Sequence, residues 1–134
     1  LSLAGREADI VSLANVPWVA VNEAGLTPQQ EAVRRVGYVR QAAGPRFDRL
    51  DIESSPYFSE VTSTAGAALA AMGARMRNAD PDVLRDHPNV LVGTVEQIIE
   101  RLQVQRERIG VNYVTIPQDQ VDSFAPVCSR LSGT

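Results

Sequence analysis

Val90-Leu91-Val92-Gly93-Thr94 and Gly110-Val111-Asn112-Tyr113-Val114-Thr115-Ile116-Pro117 are the two stretches that decide the fold. The first is a short apolar strand running into a glycine. The second is a strand with apolar residues on both faces. Between them Thr94 and Gln97 form a capping box, a helix start in which each side chain satisfies the other residue's backbone N–H. Val95, Ile98, Ile99, Leu102 and Ile109 supply that helix with a buried stripe, and Gly110 stops it. Strand, helix, strand is a βα unit feeding a parallel strand. A parallel strand apolar on both faces needs helices above and below it.

The same alternation extends upstream. Leu1–Ala8 reads as the tail of a helix, Asp9–Leu13 as a short buried strand, and residues 14–26 as a long loop leaving its carboxyl end. Thr27-Pro28-Gln29-Gln30 opens a helix with a second capping box and Pro at the first turn. Its buried stripe is Val33, Val36 and Val39, with Ala32 and Ala43. Arg34, Arg35 and Arg40 lie outside that stripe, and Gly44-Pro45 ends the helix. Phe47–Ser54 reads as a polar strand and residues 55–62 as a connecting loop. An Ala-rich helix spans Thr64–Asn78, and a short one Asp82–Arg85 that ends at His87-Pro88. A last helix opens at Gln118 and Asp119, with Val121, Phe124, Ala125, Val127, Cys128 and Leu131 as its apolar residues. Such alternation is the pattern of α/β proteins.

Composition narrows the function. Of 134 residues, 44% are hydrophobic and 22% charged, ordinary values for a globular domain. A net charge of −3 without a basic cluster gives no footprint for nucleic acid. No apolar run reaches the roughly 18 residues of a membrane helix, and no signal peptide opens the chain. The single Cys128 excludes an intrachain disulfide and fits a cytoplasmic protein. It reads as a packing residue of the last helix. The 13 basic residues are all Arg and run from Arg6 to Arg130, a spread that fits coding bias better than a phosphate clamp. The chain starts at Leu1, inside a helix without a cap, so upstream sequence is expected.

No complete catalytic motif is present: no phosphate-binding glycine loop, no nucleophile elbow. One His excludes a metal site built from two or three His, and no metal is expected. His87, before a Pro at a helix end, reads as a cap or surface residue. The carboxyl ends of the strands are the expected seat of a site. They carry Ser12, Ala14 and Asn15; Glu53 and Ser54; Thr94; and Ile116-Pro117-Gln118. Glu53 suits a general base or a substrate anchor. Thr94 is first a helix cap, its turn a secondary anion candidate. Trp18 reads as a plug of the rim or a lid on a pocket.

Three segments carry a resemblance. Leu3–Val11, Val90–Leu102 and Phe124–Leu131 are similar to segments of the luciferase-like monooxygenases, the last to an actinobacterial subgroup. The resemblance implies the C-terminal part of a (β/α)8 TIM barrel of the bacterial-luciferase-like type, with residues 1–134 as a single partial domain. It implies an oxidoreductase that moves hydride between a deazaflavin, coenzyme F-420, or alternatively FMN, and a small organic substrate. It also implies that the early strands, with most cofactor contacts and catalytic residues, are not in this sequence. Ser12, Ala14 and Asn15 occupy the strand end that approaches the cofactor in such enzymes, with Trp18, Glu53 and Ser54 toward the substrate. The lack of Lys speaks against a sugar phosphate substrate. The other expectation is a non-catalytic half-barrel, which self-associates as a homodimer or assembles with the missing half, because open strand edges invite pairing.

Overall fold

The computed structural model describes residues 1–77 and 79–134. Five strands and six α-helices make up the regular structure of the described chain. They are α1 (Ser2–Glu7), β1 (Ile10–Ser12), α2 (Pro28–Ala43), β2 (Asp51–Ser54), β3 (Phe58–Val61), α3 (Ala65–Arg75), α4 (Pro81–Asp86), β4 (Val90–Gly93), α5 (Val95–Arg108), β5 (Tyr113–Val114) and α6 (Val121–Leu131). Two sheets form, both parallel. One has the order β1-β2-β5, and the other pairs β3 with β4. The expected parallel α/β architecture is present.

Local chemistry sets the boundaries. Both capping boxes form, Thr27 with Gln30 and Thr94 with Gln97. Asp80 caps α4 by accepting from the Asp82 N–H at 2.8 Å. Gly110, at φ +91, takes the left-handed turn that releases α5 into β5.

Several expectations change. Phe47–Ser54 is not one strand: a 3₁₀ run covers Gly44–Arg49 and only Asp51–Ser54 pairs. The Arg40 guanidinium lies over the Phe47 ring at 4.0 Å, which draws Phe47 back onto α2. The loop expected over residues 55–62 contains β3, whose alternation is hidden by Ser59 and Glu60. The strand expected to be apolar on both faces is an edge strand of two residues, with Tyr113 43% exposed. Val33 and Val121 are exposed, and Glu31 takes a buried place on α2. Cys128 is exposed, because Phe124 and Val127 turn to the core and leave it outside. Of the expected helix Thr64–Asn78, Ala65–Arg75 is helical, and Asn78 lies outside the described residues.

The core has three parts. Val11, Leu50 and Ile52 pack under Ala32, Val36, Val39 and Ala43 of α2. Leu91, Ile98 and Ile99 meet Phe124 and Val127 of α6. Leu69, Met72, Leu84 and Val90 form the third, with Trp18 and Phe58 against it. Helix α1 lies on α2 through Gly5, where a Cβ would sit 2.7 Å from the Val39 carbonyl oxygen and 3.1 Å from the Ala42 Cβ.

Two glycine substitutions therefore take opposite signs. Gly5→Ala overpacks the α1–α2 contact and is expected to lose about 1–3 kcal/mol. Gly37→Ala, inside α2 with nothing within 4 Å, is expected to gain about 0.5–1 kcal/mol. Urea unfolding midpoints measure both, and a Gly5→Ala protein as stable as the parent contradicts the packing.

Candidate functional site

In the three-stranded sheet, register aligns Ile10 with Asp51, Ser12 with Glu53, and Glu53 with Tyr113. Register partners in a parallel sheet share a face. The intervening residues Val11, Ile52 and Ser54 turn toward the helices and are buried. The other face is bare: Ile10, Ser12, Asp51 and Tyr113 are exposed and Glu53 is half-buried. A parallel sheet normally has both faces covered. This one presents a polar row, Ser12–Glu53–Tyr113, about 10 Å wide at ordinary strand spacing. It lies at the carboxyl ends, where open α/β sheets bind ligands.

Thr115 joins the row from the residue after β5. Its hydroxyl donates to Glu53 Oε1 at 2.9 Å, which holds one carboxylate oxygen and leaves the other to the open face. Asn112 clamps β5 onto β2: its Oδ1 accepts from the Ile52 N–H at 2.7 Å, and its Nδ2 donates to Asp51 Oδ1 at 3.1 Å. Among the described residues neither Asp51 nor Glu53 belongs to an ion pair.

The loop after β1 is fastened from several sides. Asn89 Nδ2 donates to the Leu13 carbonyl at 3.0 Å, and His87 Nε2 to the Val16 carbonyl at 3.2 Å. Arg35 reaches the Ala14 carbonyl from α2. The Asn15 N–H donates to the Tyr57 hydroxyl at 2.6 Å, and Asn15 takes φ +59, a left-handed conformation that suits Asn.

Behind this loop is a buried polar layer. His87 is fully buried, and its Nδ1 accepts from the Asn89 N–H at 3.1 Å. With Nε2 donating, the ring is the neutral Nε2–H tautomer. It stacks on Trp18 at 3.9 Å between centroids and 14° between planes. Burial holds its pKa down at about 4, against the pull of the backbone carbonyls. Arg101 Nη2 donates to the His87 carbonyl. Ser54 and Gln105 both donate to the Pro88 carbonyl, at 3.3 and 3.0 Å.

The sequence-expected residues thus separate into groups. Ser12 and Glu53 are neighbours in the row. Ala14 and Asn15 are exposed on the fastened loop above it. Ser54 is 2% exposed and faces the helices, so it is not part of the open face. Trp18 plugs the core against His87 instead of lidding a pocket. His87 caps α4 but is buried, not at the surface as its place before Pro88 had implied. Thr94 is used by its capping box. Tyr113, Thr115 and Asp51 were missed; alternation along each strand carried the signal, and register was needed to bring them together. Two clefts lie elsewhere. One of about 750 Å³ is walled by α2, α3, α4 and α5, and one of about 680 Å³ runs along β5 between α5 and α6.

Acid is expected to loosen the loop through His87. The unfolded chain binds a proton near the ordinary value of 6.5 and the folded one near 4. Stability is therefore full above about pH 6.5, falls as pH drops toward 4, and levels off below, with a total loss of about 3 kcal/mol from this group. The buried Glu31 carboxylate is held below its usual range, first by the Arg35 hydrogen bond, so its contribution is lost at lower pH still. Trp18 is the single Trp, so its fluorescence reports the stack. Denaturation followed by that signal at pH 7.5, 5.5 and 4.5 checks the slope, and a flat profile contradicts it.

No family model matches this chain, and no curated protein or solved structure matches it.

Proposed function

We propose that this chain is the later part of a luciferase-like (β/α)8 barrel and forms one wall of the cofactor and substrate site of an oxidoreductase. The observation that carries the reading is the bare face of the β1-β2-β5 sheet, with its polar row at the strand carboxyl ends. The resemblance of Leu3–Val11, Val90–Leu102 and Phe124–Leu131 to the family supports it independently. In a barrel the helices cover the outer face and the bare face looks inward. The open edges of β1 and β5 are then where further strands pair.

The residues present fit part of a deazaflavin or flavin. Ser12 would offer its hydroxyl to the polar edge of the ring system, beside the exposed Ala14 and Asn15. The face itself carries no Arg in the register rows, so the phosphate tail of either cofactor is held by residues other than these. The cofactor supplies the hydride chemistry; the protein orients it and keeps water away. Glu53 and Tyr113 lie beside Ser12 and face the substrate.

A second reading follows from the same bare face and open edges: a non-catalytic half-barrel that pairs with a copy of itself. The two readings separate experimentally. Coenzyme F-420 and FMN are titrated, by quenching of cofactor fluorescence, into the chain joined to its complementary barrel half. Saturable binding of one cofactor, weakened about tenfold or more by Ser12→Phe with an unchanged circular dichroism spectrum, is the expected result. No binding of either cofactor sinks the oxidoreductase reading. A chain that stays monomeric in sedimentation across a wide concentration range sinks the self-pairing one.

A further inference from the structure

We propose that the cleft of about 750 Å³ walled by α2, α3, α4 and α5 binds a small neutral molecule that carries a carboxamide. The cleft lies on the helix side of the protein, apart from the bare sheet face. Gln105, which lines it, donates to the Pro88 carbonyl, and so does Ser54, whose side chain faces the helices. The inference therefore stands or falls without reference to the cofactor.

Two orphaned polar atoms carry the argument. Gln105 is 1% exposed, and its Oε1 is buried without a hydrogen-bond partner among the described residues. The Nε of Arg101 is buried and unpartnered in the same way, and Arg101 also lines the cleft. The two residues are four apart on α5, which makes them neighbours on one face of that helix. Neither side chain is free to turn. The Gln105 amide is fixed through Nε2, which donates to the Pro88 carbonyl at 3.0 Å. The Arg101 guanidinium is fixed through Nη2, which donates to the His87 carbonyl at 3.2 Å, with Nη1 3.8 Å from Asp86 Oδ1. One donor and one acceptor are thus held in place on neighbouring residues of the wall. Buried polar groups are ordinarily satisfied. A carboxamide answers both, because its carbonyl accepts and its N–H donates.

The rest of the lining sets the body of the ligand. Asp82, Asp86 and Glu100 are balanced by Arg85, Arg101 and Arg108, three charges of each sign. Asp82 pairs with Arg85, and Asp86 with Arg101. No net charge draws an ion into the cleft. A carboxylate brings only acceptors, which Gln105 Oε1 repels, and an ammonium brings no acceptor for the Arg101 N–H. Pro28, Leu69, Val83, Val92 and Val104 supply apolar surface for a hydrocarbon body. The volume falls within the roughly 300–1,000 Å³ of small-molecule pockets.

The test is a titration of the isotope-labelled protein followed by amide NMR. Benzamide is the probe. Acetophenone has the same shape and carbonyl without the N–H, and benzoate is the like-shaped anion. Benzamide is expected to give saturable shifts confined to the cleft-lining stretches 27–29, 65–69, 82–86 and 97–108. Acetophenone is expected to bind about fivefold more weakly, the worth of one hydrogen bond, and benzoate weaker still. Val104→Trp fills the cleft from its partly exposed side without touching Arg101 or Gln105, and is expected to abolish the saturable shifts. The spectrum of the variant reports that it remains folded. No saturable binding of benzamide, shifts elsewhere only, equal affinity for acetophenone or benzoate, or undiminished binding by a folded Val104→Trp protein overturns the proposal. The contrast among the three probes on the parent protein decides the matter even where the variant unfolds.

Discussion

The pairing of β2 with a neighbour on each side is the constraint from which the rest of the architecture follows. Four residues, Asp51–Ser54, set the register of β1 on one edge and β5 on the other. Because both pairings are parallel, each requires a crossover that returns the chain to the same end of the sheet. The first crossover is α2. The second is the whole run from β3 to α5. Alternation along β2 then splits the protein into two environments. Ile52 and Ser54 look into the helices, and Asp51 and Glu53 look away from them. A one-residue slip would bury two carboxylates and expose Ile52, so the hydrophobic contact of Ile52 with α2 is also what puts Glu53 on the open face.

The second layer is fastened by polar groups beside its apolar contacts. Residues 87–89 pass behind the sheet without regular structure, and every side of that segment is bound. Ser54, Gln105 and Arg101 donate to its carbonyls, while His87 and Asn89 donate outward to the β1 loop. A backbone segment buried outside helix or sheet needs such partners. Asn89 Oδ1, Gln105 Oε1 and Arg101 Nε are buried beside it without a protein partner among the described residues. The Trp18–His87 stack and the apolar cluster around Leu69 and Leu84 complete the layer.

How much of this was legible depends on whether the signal was local. The caps at Thr27 and Thr94 and the stops at Gly44 and Gly110 are local chemistry, and the helices they bound formed as read. Strand β4, apolar throughout, was equally plain. Strand β3 was not, because Ser59 and Glu60 carry no periodic signal, and its pairing with β4 supplies the order that its sequence lacks. Phe47 misled for a related reason: an aromatic in an alternating run signals a strand, yet Arg40 from the preceding helix captures its ring. The site divides the same way. Ser12 and Glu53 were legible as strand ends. Their adjacency to Tyr113 and Thr115 depends on register across 60 residues of chain, which no window along the sequence contains. Ser54 faces the helices and Trp18, open to reading as a plug or a lid, packs on His87; a side chain's face at a strand end or in the loop beyond depends on what covers it.

The row of polar groups is unevenly supported, and this has a consequence for binding. Ser12 and Glu53 ride on strands whose buried neighbours, Val11 and Ile52, are anchored in the core under α2. Tyr113 and Thr115 sit on and just after β5, a two-residue edge strand paired on one side only and held by Asn112 and by the packing of Val114. Edge elements with few buried contacts open at lower free energy than the core does. Through Thr115, Glu53 also ties the edge strand β5 to the central strand β2. A ligand that engages Glu53 and Tyr113 together bridges the same two strands, so part of its binding free energy goes into ordering β5. Closing further strands onto the β5 edge would remove that expense, because the hydrogen bonds of a continued sheet would hold β5 before any ligand arrives.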